Sequence, residues 1–394
     1  MVNKHLQLVR RVLTGFARAA FQRYPAIIIT GPRQAGKTIF ARMTFPRLPY
    51  ANLEAPDVRR FANDDPRAFL AQFPHGAILD EIQRAPELPA YLQPMIDARR
   101  RKGLFVLTGS QQFELMRGIT QSLAGRAAIL RLLPFNLSET RRIVPGIQID
   151  DLIVKGGYPR LHAEDIPQFQ ALGDYFNTYV QRDLRELIKL RHFAEFERFV
   201  RLCAASVGQL LNFERMGNDI GVTRPTVLEW LNLLEAGFIA FRLSPWHANL
   251  RKRLVKRQKL YFYDTGLACH LCDIHSREHL RNHPLRGAMF ENWVIGEALK
   301  HLYNHGNPGR LYFFRDNAGH EVDLLYPIGP KVIAVEIKAG QTVSADWFNG
   351  LHFFRELQPQ AIEKAFVVYA GAREEKRSDA HVLPYHRFQS RLGV

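Results

Sequence analysis

Cysteine is scarce: Cys203, Cys269 and Cys272 are three in 394 residues. A fold held together by disulfides is thereby excluded, and the usage fits the reducing cytoplasm. Long hydrophobic runs are also missing, since no stretch approaches the roughly 20 apolar residues of a spanning helix. No membrane partner is expected, and no secretory leader core follows the first residues. Met1 to Leu53 contains no acidic residue. An Arg-rich, acid-poor start can be an organellar address, but this one runs unbroken into a motif the chain cannot spare. Acidity is short throughout: 38 Asp and Glu against 54 Lys and Arg leave a net charge of +16. Such a field favours polyanions, nucleic acid foremost. At this length the chain exceeds one core and divides into several domains.

What is present is most specific at Gly31-Pro32-Arg33-Gln34-Ala35-Gly36-Lys37-Thr38, behind the apolar run Ala26-Ile27-Ile28-Ile29. G-x-x-x-x-G-K-T between a strand and a helix is a phosphate cradle. Gly31 and Gly36 let the backbone curl so that its amides, with the helix N-terminus, face the phosphates of ATP. Lys37 is expected to reach the β/γ-phosphates, and Thr38 to hold Mg²⁺. Ahead of the loop, Leu6, Val9, Leu13, Phe16, Ala17, Ala20 and Phe21 recur at helical spacing, predicting a helix over residues 4–22 beside the nucleotide pocket.

Ala77-Ile78-Leu79-Asp80-Glu81-Ile82-Gln83 reads as a buried strand delivering two carboxylates to its end. Asp80 is expected on Mg²⁺ and Glu81 as general base toward the attacking water. The next apolar strand, Leu104 to Ser110, ends in hydroxyl residues; Ser110 or Thr108 is the expected γ-phosphate sensor. Arg126 precedes a fifth strand, where an arginine can serve as a finger to a neighbouring subunit.

GPRQ-x-GKT, ILDEIQ, LTGS and AGR, in this order and spacing, resemble a prokaryotic family of AAA+ ATPases similar to the signal-transducing STAND ATPases. The resemblance implies a parallel sheet in the order 5-1-4-3-2 and a homo-oligomer, a ring or hexamer among the forms. It also implies that Pro159, in Gly156-Gly157-Tyr158-Pro159, packs near the nucleotide base. Tyr261 to Leu267 looks like the signature of the uncharacterised domain that commonly follows this ATPase.

From Asp174 to Arg198 an apolar stripe predicts a helix interleaved with Arg182, Arg185, Lys189 and Arg191. Asn218 to Val222 followed by Thr223 to Leu231 reads as helix-turn-helix, with Thr223 as cap and Pro225 in the first turn. Phe238 to Leu243 adds a strand, as in winged-helix domains. The basic cluster Arg251, Lys252, Arg253, Lys256, Arg257 and Lys259 follows near the wing. A helix in the major groove with the wing on phosphates is the DNA-binding picture. Cys269 and Cys272 with His275 and His279 invite a zinc reading, but two residues between the halves are too few to wrap one ion.

In the last third, Glu291 lies on a predicted helix, Glu321 to Leu325 on one strand and Lys331 to Lys338 on the next. Period-two alternation puts Glu336 and Lys338 on one face and Ile337 toward the core. Asp…Glu-x-Lys with an upstream helical Glu resembles the PD-(D/E)xK nuclease superfamily. That resemblance implies Asp323, Glu336 and Glu291 on Mg²⁺ and Lys338 orienting or activating water.

The expected architecture is therefore α/β: an AAA+ P-loop ATPase core over 1–135, a helical lid and connector over 136–195, a winged helix over 196–255 and a restriction-endonuclease-like domain over 256–394. The expected activity is Mg²⁺-dependent ATP hydrolysis coupled to duplex or branched DNA on the basic C-terminal half. The alternative is a STAND-like nucleotide-state switch that acts through protein partners.

Overall fold

The computed structural model describes residues 9–110, 122–164, 166–180, 193–246 and 257–393. Strands β1 (Ala26–Thr30), β2 (Tyr50–Asn52), β3 (Ala77–Asp80), β4 (Phe105–Gly109) and β5 (Ala127–Arg131) form the first sheet. All pair in parallel, in the order β2-β3-β4-β1-β5, which is the expected 5-1-4-3-2. A parallel sheet must be covered on both faces, and β1 serves both. Ala26 and Ile28 enter one apolar cluster, Ile27 and Ile29 the other. Helices α1 (Thr14–Arg23) and α2 (Lys37–Thr44) cover the second cluster, and α3 (Leu88–Arg99) the first. The N-terminal helix thus begins at Thr14, later than its apolar spacing predicted.

Beyond β5 the chain turns into α4 (Leu137–Ile143), which opens with a capping box between Asn136 and Glu139. Helices α5 (Ile149–Lys155) and α6 (Pro159–Ala163) follow. The two helices predicted on either side of the Gly221 turn are α8 (Phe213–Ile220) and α9 (Arg224–Ala236), preceded by α7 (Phe193–Ala205). Thr223 caps α9 by accepting from the Thr226 amide. Trp230 anchors the unit, its ring 5.4 Å from Phe196 and 5.6 Å from Phe199. A hairpin of β6 (Ala240–Pro245) and β7 (Lys259–Phe262) comes next. Arg182, Arg185, Lys189 and Arg191, and Arg251, Lys252, Arg253 and Lys256 of the basic cluster, lie outside the described residues.

The expected boundary between residues 255 and 256 does not hold, because it would divide this hairpin. β6 also pairs in parallel with β8 (Tyr312–Arg315). With β9 (Glu321–Ile328), β10 (Lys331–Lys338), β11 (Ile362–Tyr369), β12 (Glu375–Lys376) and β13 (His381–Pro384), the hairpin completes one eight-stranded sheet in the order β12-β13-β11-β10-β9-β8-β6-β7. The physical reason is the hairpin's open edge, whose backbone groups are satisfied by the next strand. One apolar cluster accordingly runs from Leu133 to Leu392. Helices α10 (Thr265–Leu271), α11 (Arg286–Asn304) and α12 (Asn349–Leu357) pack on the sheet, α10 and α11 on that cluster and α12 on the opposite face.

One joint ties the two halves. Asp264 caps α10 through the Leu267 amide (3.1 Å) and also accepts the Gly157 amide at 2.7 Å. Gly156 has φ 74°, and a Cβ there would sit 2.1 Å from Asp264 Oδ1. The Gly-Gly-Tyr-Pro and Tyr-Asp-Thr-Gly motifs are therefore two sides of one contact. Asp264→Ala orphans two buried amides, at ~1–3 kcal/mol each. A loss of about 2–6 kcal/mol is expected in urea unfolding, with an unchanged m-value.

Candidate nucleotide site and carboxylate cluster

The phosphate loop is shaped by what β1 and β5 leave room for. Gly31 turns at φ 152°, and a Cβ on it would lie 2.1 Å from the Leu132 carbonyl oxygen. Gln34 and Gly36, with φ 60° and 85°, complete the curl before α2. Lys37 is buried, and its Nζ donates to Gly31 O (3.0 Å) and Pro32 O (2.8 Å). Burial lowers its pKa to about 8, against the pull of Glu81 and Asp80. Thr38 Oγ1 lies 2.8 and 3.1 Å from the two oxygens of Asp80. Tyr50 donates to Asp80 at 2.8 Å, and the Thr108 hydroxyl donates to its other oxygen.

Glu81 leaves β3 at φ 55°, its amide donating to Thr108 Oγ1 at 3.2 Å. Gln83 donates to its carboxylate, and Ser110 Oγ does so at 3.3 Å. The expected base and sensor are thus joined directly. Beside the loop lies a cavity of about 240 Å³ lined by Thr14, Ile39, Met43, Phe135 and Pro159. Pro159, which the resemblance implies near the base, is thus on its wall. Arg11 forms another part of the wall: it pairs with Glu139 at 3.0 Å, donates to Ala35 O at 2.9 Å and stacks on Phe135 at 4.8 Å. Arg33 lies in the loop itself. Arg126 is at the opposite end of the sheet, where its carbonyl accepts the Ala26 amide. Its guanidinium grips Asp97 of α3 at 2.6 and 2.9 Å.

The donor set fits Mg²⁺–ATP. A hydroxyl and a carboxylate in mutual contact are the expected pair for the ion, and inward amides with Lys37 suit a triphosphate.

The second site lies in the C-terminal half. Asp323 is buried, and its Oδ2 accepts the Ile337 amide at 2.7 Å. Glu336 pairs with Lys338 at 2.7 Å, and its buried Oε2 has no hydrogen-bond partner among the described residues. Burial, then Glu336 and Glu291, hold the Asp323 carboxyl well above the usual range. Burial also raises Glu336, against Lys338. Burial works against the Lys338 charge, but Glu336 and Asp323 prevail and its pKa rises.

Glu291, however, is taken by Lys259 at 3.0 Å and by the Tyr261 hydroxyl. Glu321 is taken by Lys259 and Arg315. Among the described residues no three carboxylate, histidine or cysteine side chains form a metal shell. The expected Mg²⁺ set Glu291, Asp323 and Glu336 is therefore corrected: the described residues do not gather it into a shell, and Glu291 is engaged by Lys259 and Tyr261. The zinc spacing is also packing, for Cys269 is buried with its Sγ 3.9 Å from Ile153 O.

Three family models match the chain: an AAA domain over residues 23–141, and domains of unknown function, DUF8612 over 147–278 and DUF4143 over 286–388. Two curated relatives are the uncharacterized proteins Rv2008c of Mycobacterium tuberculosis and Mb2031c of Mycobacterium bovis. Each is 30% identical over 347 residues, spanning 85% of this chain and 75% of the relative. The chain belongs to their family. This family member carries an α/β P-loop ATPase core of the AAA type. Among solved structures, the Walker-type ATPase PABY2304 of Pyrococcus abyssi is similar at TM-score 0.46 and 16% identity, over 67% of this chain and 95% of that one. AMPPCP-bound DnaA from Aquifex aeolicus is similar at 0.30 and 12%, over 60% and 89%. No helix of the described residues is long and apolar enough to cross a membrane.

Sequence reasoning did not single out Arg11, Phe135 or Tyr50, and it placed Lys259 only in a basic run. The side chains they pair with, Glu139 for Arg11, Lys300 for Phe135, Asp80 for Tyr50 and Glu291 for Lys259, lie at least 30 residues away, with no local pattern to mark them.

Lys37 must be protonated to meet a triphosphate, and free Lys37 has a pKa of about 8. ATP affinity, read with a fluorescent nucleotide, is expected to be flat just below pH 8. It should fall about tenfold per unit above that, as binding has to recover a proton. Lys37→Met should remove the slope.

Proposed function

We propose that the chain is a Mg²⁺-dependent ATPase that engages DNA, duplex or branched, through its basic C-terminal half and passes nucleotide state to it along α11. The observation that carries this is the placing of three side chains on one helix. Glu291 enters the carboxylate cluster, while Glu297 accepts the Leu137 amide at 2.9 Å and Lys300 donates to Phe135 O at 2.9 Å. Phe135 is the wall of the nucleotide pocket, so a shift there is felt at Glu291.

Mg²⁺ with ATP supplies charge neutralisation at the γ-phosphoryl group when bound. Thr38 and Asp80 would hold the ion, and Lys37 would exchange its loop carbonyls for phosphate oxygens. Glu81, once clear of Gln83, takes the proton of the attacking water. Ser110 reports the γ-phosphate, and Pro159 and Phe135 clasp the base. In a ring, Arg126 leaves Asp97 and serves the neighbouring subunit's site. The order α7, α8, α9, β6, β7 supports a winged helix, and β8 to β11 with α11 and α12 support a nuclease-like fold without a metal step. The +16 charge favours a polyanionic partner.

A specific observation favours the second reading, a nucleotide-state switch working through protein partners. The exposed arginines of the helix-turn-helix are already paired, Arg224 with Glu214 at 2.9 Å and Arg215 with Asp219 at 3.9 Å.

The deciding measurement is ATP turnover with and without duplex, forked and four-way DNA at low salt, where binding is strongest. DNA stimulation is expected for the intact chain. The joint replacement Glu297→Gln with Lys300→Met should keep ATP binding but lose the stimulation. Turnover indifferent to every DNA, with no DNA affinity, would leave the switch. Glu81→Gln is expected to lower kcat by about 10²–10⁴-fold while ATP still binds.

A further inference from the structure

Between α4, the end of α11 and the last turns of the chain lies a cavity of about 410 Å³, separate from the nucleotide pocket. Its walls carry Arg141 from α4, Asn304 and His305 from the end of α11, and Tyr385 and His386 from the turn that follows β13. A space of that volume suits a small molecule. The charge around it is of one sign. Among the described residues Glu297 is the one carboxylate on the wall, and both its oxygens are committed, to the Leu137 amide and to Lys300. Asp150 also acts on Tyr385, but Arg281 and Arg286 hold it. Arg141 hydrogen-bonds the Tyr385 hydroxyl, yet its buried Nε has no partner and it makes no ion pair among the described residues. Burial, then Arg141 and Arg387, holds the His386 pKa below its ordinary value, so that imidazole already stands in a positive field. A partly buried guanidinium without a counter-ion is costly. Its planar fork of donors matches phosphoryl oxygens.

We infer that this cavity binds a phosphorylated small molecule, a phosphomonoester whose phosphoryl group Arg141 takes with His386 beside it. Asn304, buried on the same wall, meets the polar body of the ligand with its amide, and His305 stands at the exposed rim. Asn136, Leu137 and Ser138 line the cavity too, continuing directly from Phe135 on the wall of the nucleotide pocket. A ligand held there spans α4, α11 and the final turns, and so braces the joint that Glu297 and Lys300 make. The inference goes beyond the proposed ATPase activity, and the binding depends neither on ATP turnover nor on DNA.

The test is calorimetric titration of the full chain carrying Lys37→Met, so that the phosphate loop does not compete, with ribose 5-phosphate, inorganic phosphate and ribose. Ribose 5-phosphate is expected to bind one site per chain and to raise the thermal transition. Inorganic phosphate should compete with it more weakly, and ribose should not bind. Adding Arg141→Met should weaken ribose 5-phosphate by about tenfold or more. Arg141→Lys should recover only part of the loss, since an ammonium lacks the fork. Absence of ribose 5-phosphate binding, or binding untouched by Arg141→Met, would overturn the inference. Displacement of the sugar phosphate by a 5′-phosphorylated DNA duplex, but not by the same duplex without the phosphate, would reassign the cavity to DNA ends and overturn it too. If Arg141→Met does not fold, His305→Glu at the exposed rim should repel the probe and weaken it to a similar degree; an unchanged affinity would overturn the inference.

Discussion

Glu297 and Lys300 stand one turn apart on α11, 3.0 Å from each other and both buried. Neither charge is stable there alone: removing one partner of a buried pair costs about 3–5 kcal/mol. Each also needs hydrogen bonds for its remaining valences, and both find them on the same short segment, at Phe135 O and Leu137 N. That demand fixes the nucleotide-pocket wall to the longest helix of the C-terminal half. Arg11 and Glu139 extend the same logic to the chain's beginning, pairing across the wall they help to build. The ATPase core and the C-terminal half are therefore joined by satisfied buried charge at this point as well as by apolar contact.

Among the described residues three lysines are buried, and their partners set their roles. Lys300 and Lys259 face carboxylates; burial opposes the Lys259 charge, but Glu291, Asp323 and Glu321 together outweigh it. Lys37 bonds to two neutral carbonyls instead, and burial drives its pKa down. An ammonium that is desolvated but lacks an anionic contact gains most from an incoming phosphate. The paired lysines gain nothing comparable, which separates the binding lysine from the structural ones on physical grounds.

Much of the first sheet is legible in the residue pattern alone. Ala26 to Ile29, Ala77 to Leu79 and Phe105 to Leu107 are continuous apolar runs, as strands covered on both faces must be. The loop and Asp80-Glu81 are legible because their chemistry is carried by consecutive residues at strand ends. The alternation around Glu336 and Lys338 places those side chains together for the same reason. The shared eight-stranded sheet is not legible, since pairing of Ser244 with Tyr312 joins residues whose local sequences carry no sign of each other. Nor is the clasp between Gly157 and Asp264, although both lie in motifs that stand out individually.

The sequence by itself determined a phosphate-binding loop with its carboxylates, the strand and helix order around it, and which acidic residues share a strand face. These follow from backbone conformation and side-chain period, which are local. Only the tertiary structure decided what each charge is paired with. Lys259 ends a run of basic residues that reads as a wing on phosphates, yet it lies in the core against Glu291 and Glu321. Burial and pairing depend on distances between distant segments, and those exist only once the sheet has closed around them.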